Sequence, residues 1–449
     1  MNYETPDSFR GSFFSLYFNY LEPSESNQTC MPKYYFCVFL FFIFANNLTL
    51  MAQDETQEQI SDTTEVGIKA ISTNSTQGQI QSDQTVTALV LTDYFAFKDQ
   101  LYRDHSFGYG IDYYTFVQGA SNALPEQPQA ALSGVLRIYG TWDLVRNNKS
   151  NSGGLTVKVE NRHPYGAMTP VKSLSSNIGY IGFTNVVFSD AGWILANLFW
   201  QQSLLNDRVI LIGGIVDATD YIHVYGLSSP WIDFSNLAFS TGTTIPVPSQ
   251  GMGFAGIVKI GDHGYLLAGL VDANANPSRP QDALDSFFKT AEFFYHAEIG
   301  WVKSFDRFYN NNISLTYWHS DRRELAQVDS GWGWGLSYSW LHQSGWEPFF
   351  RAAFSKGEVG LYSSSISTGI GYAVPDTDDQ VGFGVSWGKP FETDSIPLEN
   401  DQWTFEAYYR FHVGRLLTLT PDFQLILNPY LNPTNNLITI AGIRGRISL

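Results

Sequence analysis

The feature that most constrains this chain is a strict alternation of bulky and small residues, which is clearest between Gly331 and Trp340. The bulky residues all share one parity: Trp332, Trp334, Leu336, Tyr338 and Trp340. The other parity carries only glycine and serine. Successive side chains of a β-strand point to opposite faces. A large apolar face opposite a small polar face is typical of a transmembrane β-barrel, whose outside meets lipid and whose interior is wet.

The composition favours the same fold class. Of 449 residues, 16% are aromatic and only 15% are charged, whereas about a quarter of a soluble domain is charged. The body of the chain contains no apolar run of about 18 residues, so it predicts no membrane-spanning helix. The net charge of −17 disfavours a nucleic-acid partner, which needs a basic surface.

Sixteen alternating stretches can be counted, and the connections between them are alternately short and long. The pattern predicts an all-β, 16-stranded antiparallel transmembrane barrel with short periplasmic turns, long external loops and periplasmic termini. The apolar run 178–188 is assigned to a loop, because counting it as a strand would break this pattern. The predicted strands are 108–119, 132–145, 154–161, 192–204, 208–218, 252–260, 263–272, 291–303, 311–320, 331–342, 345–355, 365–373, 380–389, 402–412, 417–427 and 436–449.

The third external connection, 219–251, is rich in aromatic residues, among them Trp231 and Phe234. A long apolar loop is unstable when exposed to water. We therefore expect this loop to fold into the barrel and narrow it, with Trp231 and Phe234 at the constriction.

The N-terminal part predicts export. Residues 31–52 combine a basic start, a hydrophobic run of about a dozen residues and Ala52 at a cleavage position, as in a signal peptide. Residues 1–30 are then a mis-assigned extension, and 53–104 are a flexible polar leader followed by a segment at the barrel mouth. The barrel itself spans 105–449. Both cysteines, Cys30 and Cys37, precede the predicted cut.

Strand parity predicts which charged groups face the interior. In the last strand Arg444 and Arg446 alternate with apolar residues, and a charge facing lipid at mid-membrane costs about 2–4 kcal/mol. The same argument gives the inward-facing, pore-lining candidates: Arg137, Tyr139, Lys158, Glu160, Glu298, Trp318, Arg351, Glu406, Arg410, Asp422, Arg444 and Arg446. Each charged candidate has an alternative role as a brace, through an ion pair such as Arg410 with Asp422.

Several motifs resemble the OprB family of carbohydrate-selective porins. The closing stretch Pro421–Pro429, followed by Asn432-Pro433 and Gly442-Ile443-Arg444, is similar to that family's C-terminus. Gly153–His163, Leu198–Gln202, Gly213–Asp217 and Leu267–Asn274 resemble its earlier strands. The resemblance covers roughly 105–449.

The resemblance implies an outer-membrane channel of a Gram-negative cell that passes carbohydrates by passive diffusion. The partners would be sugar solutes, outer-membrane lipid and the barrel-assembly machinery, with a homotrimer and a monomer both open. Fixed polar groups and the aromatic faces of Tyr139, Trp231, Phe234 and Trp318 would contact the sugar. A general ion porin and a plugged structural barrel are the alternatives.

No enzymatic site is expected. Gly251–Gly256 matches the spacing of a dinucleotide-binding turn, but the chain continues into another strand instead of a helix. The histidines are dispersed, so we predict no metal, cofactor or catalytic residues.

Overall fold

The computed structural model describes residues 86–147, 151–391 and 400–449. Sixteen antiparallel strands close into one barrel in which each strand pairs with its sequence neighbours and the first pairs with the last, as predicted. The strands are β1 Phe107–Ala120, β2 Ala130–Asn147, β3 Asn151–Pro164, β4 Gly192–Leu204, β5 Val209–Val216, β6 Gly251–Ile260, β7 Gly264–Asp272, β8 Phe293–Val302, β9 Asn311–Ser320, β10 Gly331–Trp340, β11 Trp346–Lys356, β12 Tyr362–Ala373, β13 Gln380–Pro390, β14 Gln402–Val413, β15 Leu417–Leu427 and β16 Leu437–Ser448.

A helix precedes the barrel. Helix α1, Val86–His105, meets β1 where Tyr94 packs edge-on against Tyr109. The guanidinium of Arg415, in the turn between β14 and β15, lies 4.3 Å from the ring centre of Phe95. The helix therefore lies at the short-turn end of the barrel. The predicted signal peptide and residues 53–85 of the predicted leader lie outside the described residues.

The alternation in β10 has the predicted orientation. Gly331, Gly333 and Gly335 are buried, whereas Trp332 and Trp334 are exposed on the outer surface. Similar rows of exposed apolar residues follow the other strands, for example Phe254 and Val258 in β6. Gly251–Ile260 is a strand throughout, so it does not form a dinucleotide-binding turn. No helix within the described ranges is long and apolar enough to cross a membrane.

The outer face gives a first testable prediction. Leu315 is 40% exposed in the middle of β9, so Leu315→Arg should place a charge against acyl chains. We expect the barrel to lose about 2–4 kcal/mol of stability, measured by urea unfolding in lipid vesicles. Leu325→Arg is the matched control, because Leu325 is 86% exposed in the connection between β9 and β10. Equal effects of the two substitutions would contradict the assigned outer face.

Two long connections fill much of the interior. The connection 217–250, here called the inner loop, buries Tyr225, Phe234 and Phe239. The connection 165–191, here called the second loop, contains helix α2, Val171–Asn177, and packs on the inner loop, where the Leu237 N–H donates to the Phe183 carbonyl at 2.9 Å. The run 178–188 lies in the second loop and forms no strand, as predicted.

Inward-facing glycines make this packing possible. A Cβ added at Gly335 would lie 2.7 Å from the His223 ring, and one at Gly384 would lie 2.7 Å from Phe239. Likewise, one at Gly371 would lie 2.8 Å from Leu227. Side chains of the inner loop therefore pack against glycines of β10, β12 and β13, and these glycines do not line open space.

Candidate functional site

Strands β8 to β16 form the docking wall, to which the inner loop is attached by charged hydrogen bonds. Glu406 accepts from the backbone N–H groups of Ser235 and Asn236 at 2.5 and 2.9 Å. The Arg351 guanidinium donates to four inner-loop carbonyls, those of His223, Phe239, Ser240 and Thr241. Backbone groups that would be costly to bury unpaired are thereby satisfied by the wall.

Two more arginines of the docking wall hold the centre of the inner loop. Arg444 donates to the carbonyls of Pro230 at 2.8 Å and Asp233 at 2.7 Å. Arg410 forms an ion pair with Asp233 at 2.9 Å. The suggested pair of Arg410 with Asp422 is therefore wrong, because the loop supplies the closer carboxylate. Asp422 instead accepts from Gln424 at 2.9 Å.

Glu298 fixes the start of the inner loop. Its carboxylate accepts from the His223 backbone N–H at 3.0 Å, from Tyr265 Oη at 2.6 Å and from Thr316 Oγ1 at 2.6 Å. Six inward-facing candidates of the docking wall therefore have contacts mainly with the inner loop or with other residues of the barrel wall. They are Glu298, Arg351, Glu406, Arg410, Asp422 and Arg444.

Strands β1 to β3 form the open wall on the other side of the interior. Here Glu160 is bound by two guanidinium groups: Arg137 Nε lies 3.1 Å from one carboxylate oxygen, and Arg162 Nη2 lies 2.6 Å from the other. Lys158 forms an ion pair with Asp220 of the inner loop at 3.0 Å. Strand pairing shifts between Lys158 and Val159, and a bulge of this kind bends a strand and redirects its side chains.

Trp231 of the inner loop faces the charged side chains of the open wall. Its ring centre lies 4.2 Å from the Arg137 guanidinium carbon and 5.8 Å from that of Arg162. The Tyr114 ring lies 5.1 Å away. A cation over an indole face is an attractive contact, so Arg137 orients the Trp231 ring.

A cavity of about 280 Å³ remains between the inner loop and the open wall, here called the passage. Its lining includes Lys172 and Phe183 from the second loop and Tyr309 from the connection 303–310 at the short-turn end. Fixed donors, acceptors and an aromatic face there can bind a hydroxyl-rich solute weakly. No trio of His, Cys, Asp or Glu in the described part of the chain could hold a metal ion.

Some of the residues predicted to contact the solute line the passage, and others are buried elsewhere in the barrel. Arg137, Lys158, Glu160, Arg446 and Trp231 line the passage, where Arg446 also pairs with Asp112 at 3.2 Å. Tyr139 packs over Gly110. Phe234 and Trp318 are fully buried, Phe234 against Phe239 and Trp318 against Phe294, so the prediction that they stack on a solute does not fit their positions.

Five acidic or basic residues that line the passage were not predicted: Arg162, Lys172, Asp217, Asp220 and Asp233. The three aspartates belong to the inner loop. Arg162 follows Glu160 at the next inward position, but the predicted third strand stopped at 161, so a longer strand would have included it. Asp220 lies just after β5 and Lys172 lies in helix α2. Neither lies in a strand, and parity therefore says nothing about them.

Two loop groups have shifted pKa values. Burial, reinforced by the positive charge of Arg162 and opposed by Asp190, lowers the pKa of Lys172 to about 8. Burial raises the pKa of Asp220 to about 6, although Lys158 opposes the shift; Asp217 adds to it. Asn197 donates to Asp220 at 2.9 Å.

These shifts predict a pH-dependent ion selectivity. As the pH falls from about 9 to about 5, Lys172 gains a proton near its pKa and Asp220 then loses its charge, so the passage becomes more positive in two steps. The reversal potential under a KCl gradient should move toward chloride in both steps. Lys172→Gln should remove the upper step and Asp220→Asn the lower one. A reversal potential that is independent of pH would contradict this assignment.

Comparisons with known proteins bear on the family and the fold. Residues 151–449 match the model of the carbohydrate-selective porin family OprB. The fold is similar to the high-pH structure of Pseudomonas putida OprB, with a TM-score of 0.65 and 15% identity over 80% of this chain and 97% of that one. A triple mutant of the Rhodopseudomonas blastica porin has a TM-score of 0.47 and 13% identity, covering 76% of this chain and all of that one. A search of curated proteins finds no match.

The family match covers most of the chain and includes fourteen of the sixteen strands, β3 to β16. The likeness to the Pseudomonas putida structure independently supports the porin fold. The chain therefore belongs to the OprB family of carbohydrate-selective porins.

Proposed function

We propose that carbohydrates cross the outer membrane by passive diffusion through the passage, between the inner loop and the open wall. The observation that carries this proposal is the division of the interior. Apart from Arg446, which lines the passage, the charged groups of the docking wall mainly contact the inner loop or one another. Arg137, Glu160 and Trp231, in contrast, line a cavity. Polar groups held in place by neighbours can bind hydroxyls without reorganising, and weak binding lets the solute leave.

The lining supports a route through the barrel and disfavours a plugged structural role. Tyr309 contributes from the connection at the short-turn end, and Gly360 contributes from the connection between β11 and β12 at the long-loop end. A plugged barrel would give no conductance steps in a planar bilayer. A general ion porin would conduct, but its current would not saturate with sugar.

We also propose that the chain is exported with a cleaved signal peptide before it assembles in the outer membrane. Cleavage after Ala52 would release a chain that the barrel-assembly machinery inserts into the outer membrane. A homotrimer and a monomer are both compatible with this proposal. Mass spectrometry of the membrane-extracted protein would identify its N-terminus, and light scattering in detergent would give its oligomeric state.

Trp231→Ala tests the contact with sugar. Loss of the indole face should raise the half-saturating glucose concentration for uptake into proteoliposomes by about 5-fold, since an aromatic contact contributes about 1 kcal/mol. The matched control is Trp193→Ala, because Trp193 is 58% exposed on the outer surface of β4. Unchanged saturation in Trp231→Ala would show that the ring does not contact sugar in transit.

A further inference from the structure

The charge at the open wall is opposite in sign to that of the chain as a whole. The chain carries a net charge of −17. Four neighbouring residues of the passage carry three positive charges and one negative charge, and they are here called the basic group. They are Arg137, Glu160, Arg162 and Lys172. Cations still outnumber carboxylates when Asp190, which interacts with Lys172, is included.

The other charged groups of the passage have partners outside the basic group. Asp233, which also lines the passage, pairs with Arg410 of the docking wall. Lys158 is matched by Asp220, and Arg446 is matched by Asp112. Asp217 has hydrogen bonds to Thr219 and to Gln250. Asp217 and Asp220 lie at the start of the inner loop, near Asn197 of β4. Glu160, in contrast, is shared by the two arginines of the basic group.

We propose that the basic group selects sugar acids, monosaccharides that carry one carboxylate, over neutral sugars of the same size. This inference rests on the proposed function and names the preferred substrate class of the same passage. A guanidinium matches a carboxylate in shape as well as charge. Trp231 stands beside both guanidiniums, where its ring can contact the C–H face of the sugar.

The arrangement also explains how such a solute would leave again. Glu160 already occupies hydrogen-bond donors of both arginines, at 2.8 Å from Arg162 Nε and 3.1 Å from Arg137 Nε. An incoming carboxylate competes with it and gains only part of a full ion pair. Attraction without tight binding is what conduction requires.

The experiment compares uptake of labelled potassium gluconate and labelled glucose by proteoliposomes, with valinomycin present to balance charge. We expect wild-type protein to take up gluconate about 5-fold faster than glucose at low salt, and added KCl should reduce this ratio by screening. Arg162→Gln combined with Lys172→Gln should lower the ratio to about one or less. Lys289→Gln is the matched control, because Lys289 is exposed in the connection between β7 and β8, outside the passage.

A wild-type ratio of one or less, or a ratio that the double substitution leaves unchanged, would overturn the inference. Glucose uptake without a preference for gluconate would defeat only this inference. Uptake of neither solute above that of empty vesicles would defeat the proposed function as well. The salt dependence of the wild-type ratio needs no variant, so it decides the question even if the double variant fails to assemble.

Discussion

Replacing Arg351 and Glu406 together by alanine is expected to raise the single-channel conductance at least about 2-fold, because conductance follows the width of the pore. Arg351 binds four carbonyls of the inner loop and Glu406 binds two of its N–H groups. Each hydrogen bond to a charged group contributes about 1.5–3 kcal/mol. Loss of both anchors should release the loop from the docking wall.

The matched control for this pair is Arg322→Ala with Glu324→Ala, which removes the same two residue types from the connection between β9 and β10. Their side chains are 56% and 73% exposed, so no change in conductance is expected. Heat-modifiable migration on gels shows whether each barrel is folded. A folded Arg351→Ala, Glu406→Ala barrel with wild-type conductance would mean that these groups do not hold the constriction.

A bulky neutral maleimide attached to Ser229→Cys is expected to abolish most of the conductance. Ser229 lies in the inner loop and lines the passage, so the added group should occupy the remaining space. The cysteines of the sequence, Cys30 and Cys37, precede the predicted cleavage site, so a chain that begins at Gln53 would provide a background without cysteine. A neutral reagent makes the expected block steric and not electrostatic.

Ser367→Cys provides the comparison from the other side of the inner loop. Ser367 also faces inward, but it is 4% exposed and donates to the Ala238 carbonyl at 3.0 Å. Its side chain therefore lies between the backbone of β12 and the inner loop. The same maleimide should leave the conductance of this variant unchanged.

The sequence predicts the barrel well because its periodicity reports directly on the environment of each face. A strand between lipid and water must separate Ile443 from Arg444, and the sixteen predicted strands agree with those observed. The insertion of the inner loop was also predictable, since its aromatic residues need burial. These inferences use local pattern only.

Parity could not predict what lies opposite an inward-facing residue. Arg137 and Arg351 look alike in alternation, yet Arg137 lines the passage and Arg351 binds loop carbonyls. Gly335 and Gly384 also face inward, but a Cβ added at either position would meet His223 or Phe239 of the inner loop. The difference depends on how a long loop packs across the lumen, which is a non-local property.

Glucose flux through Ser229→Cys and Ser367→Cys, before and after reaction with the maleimide, tests most directly whether sugar passes between the inner loop and the open wall. We expect modification at position 229 to stop glucose uptake and the same treatment at position 367 to leave uptake unchanged. Continued uptake after complete modification at position 229, or a block produced at position 367, would contradict this expectation.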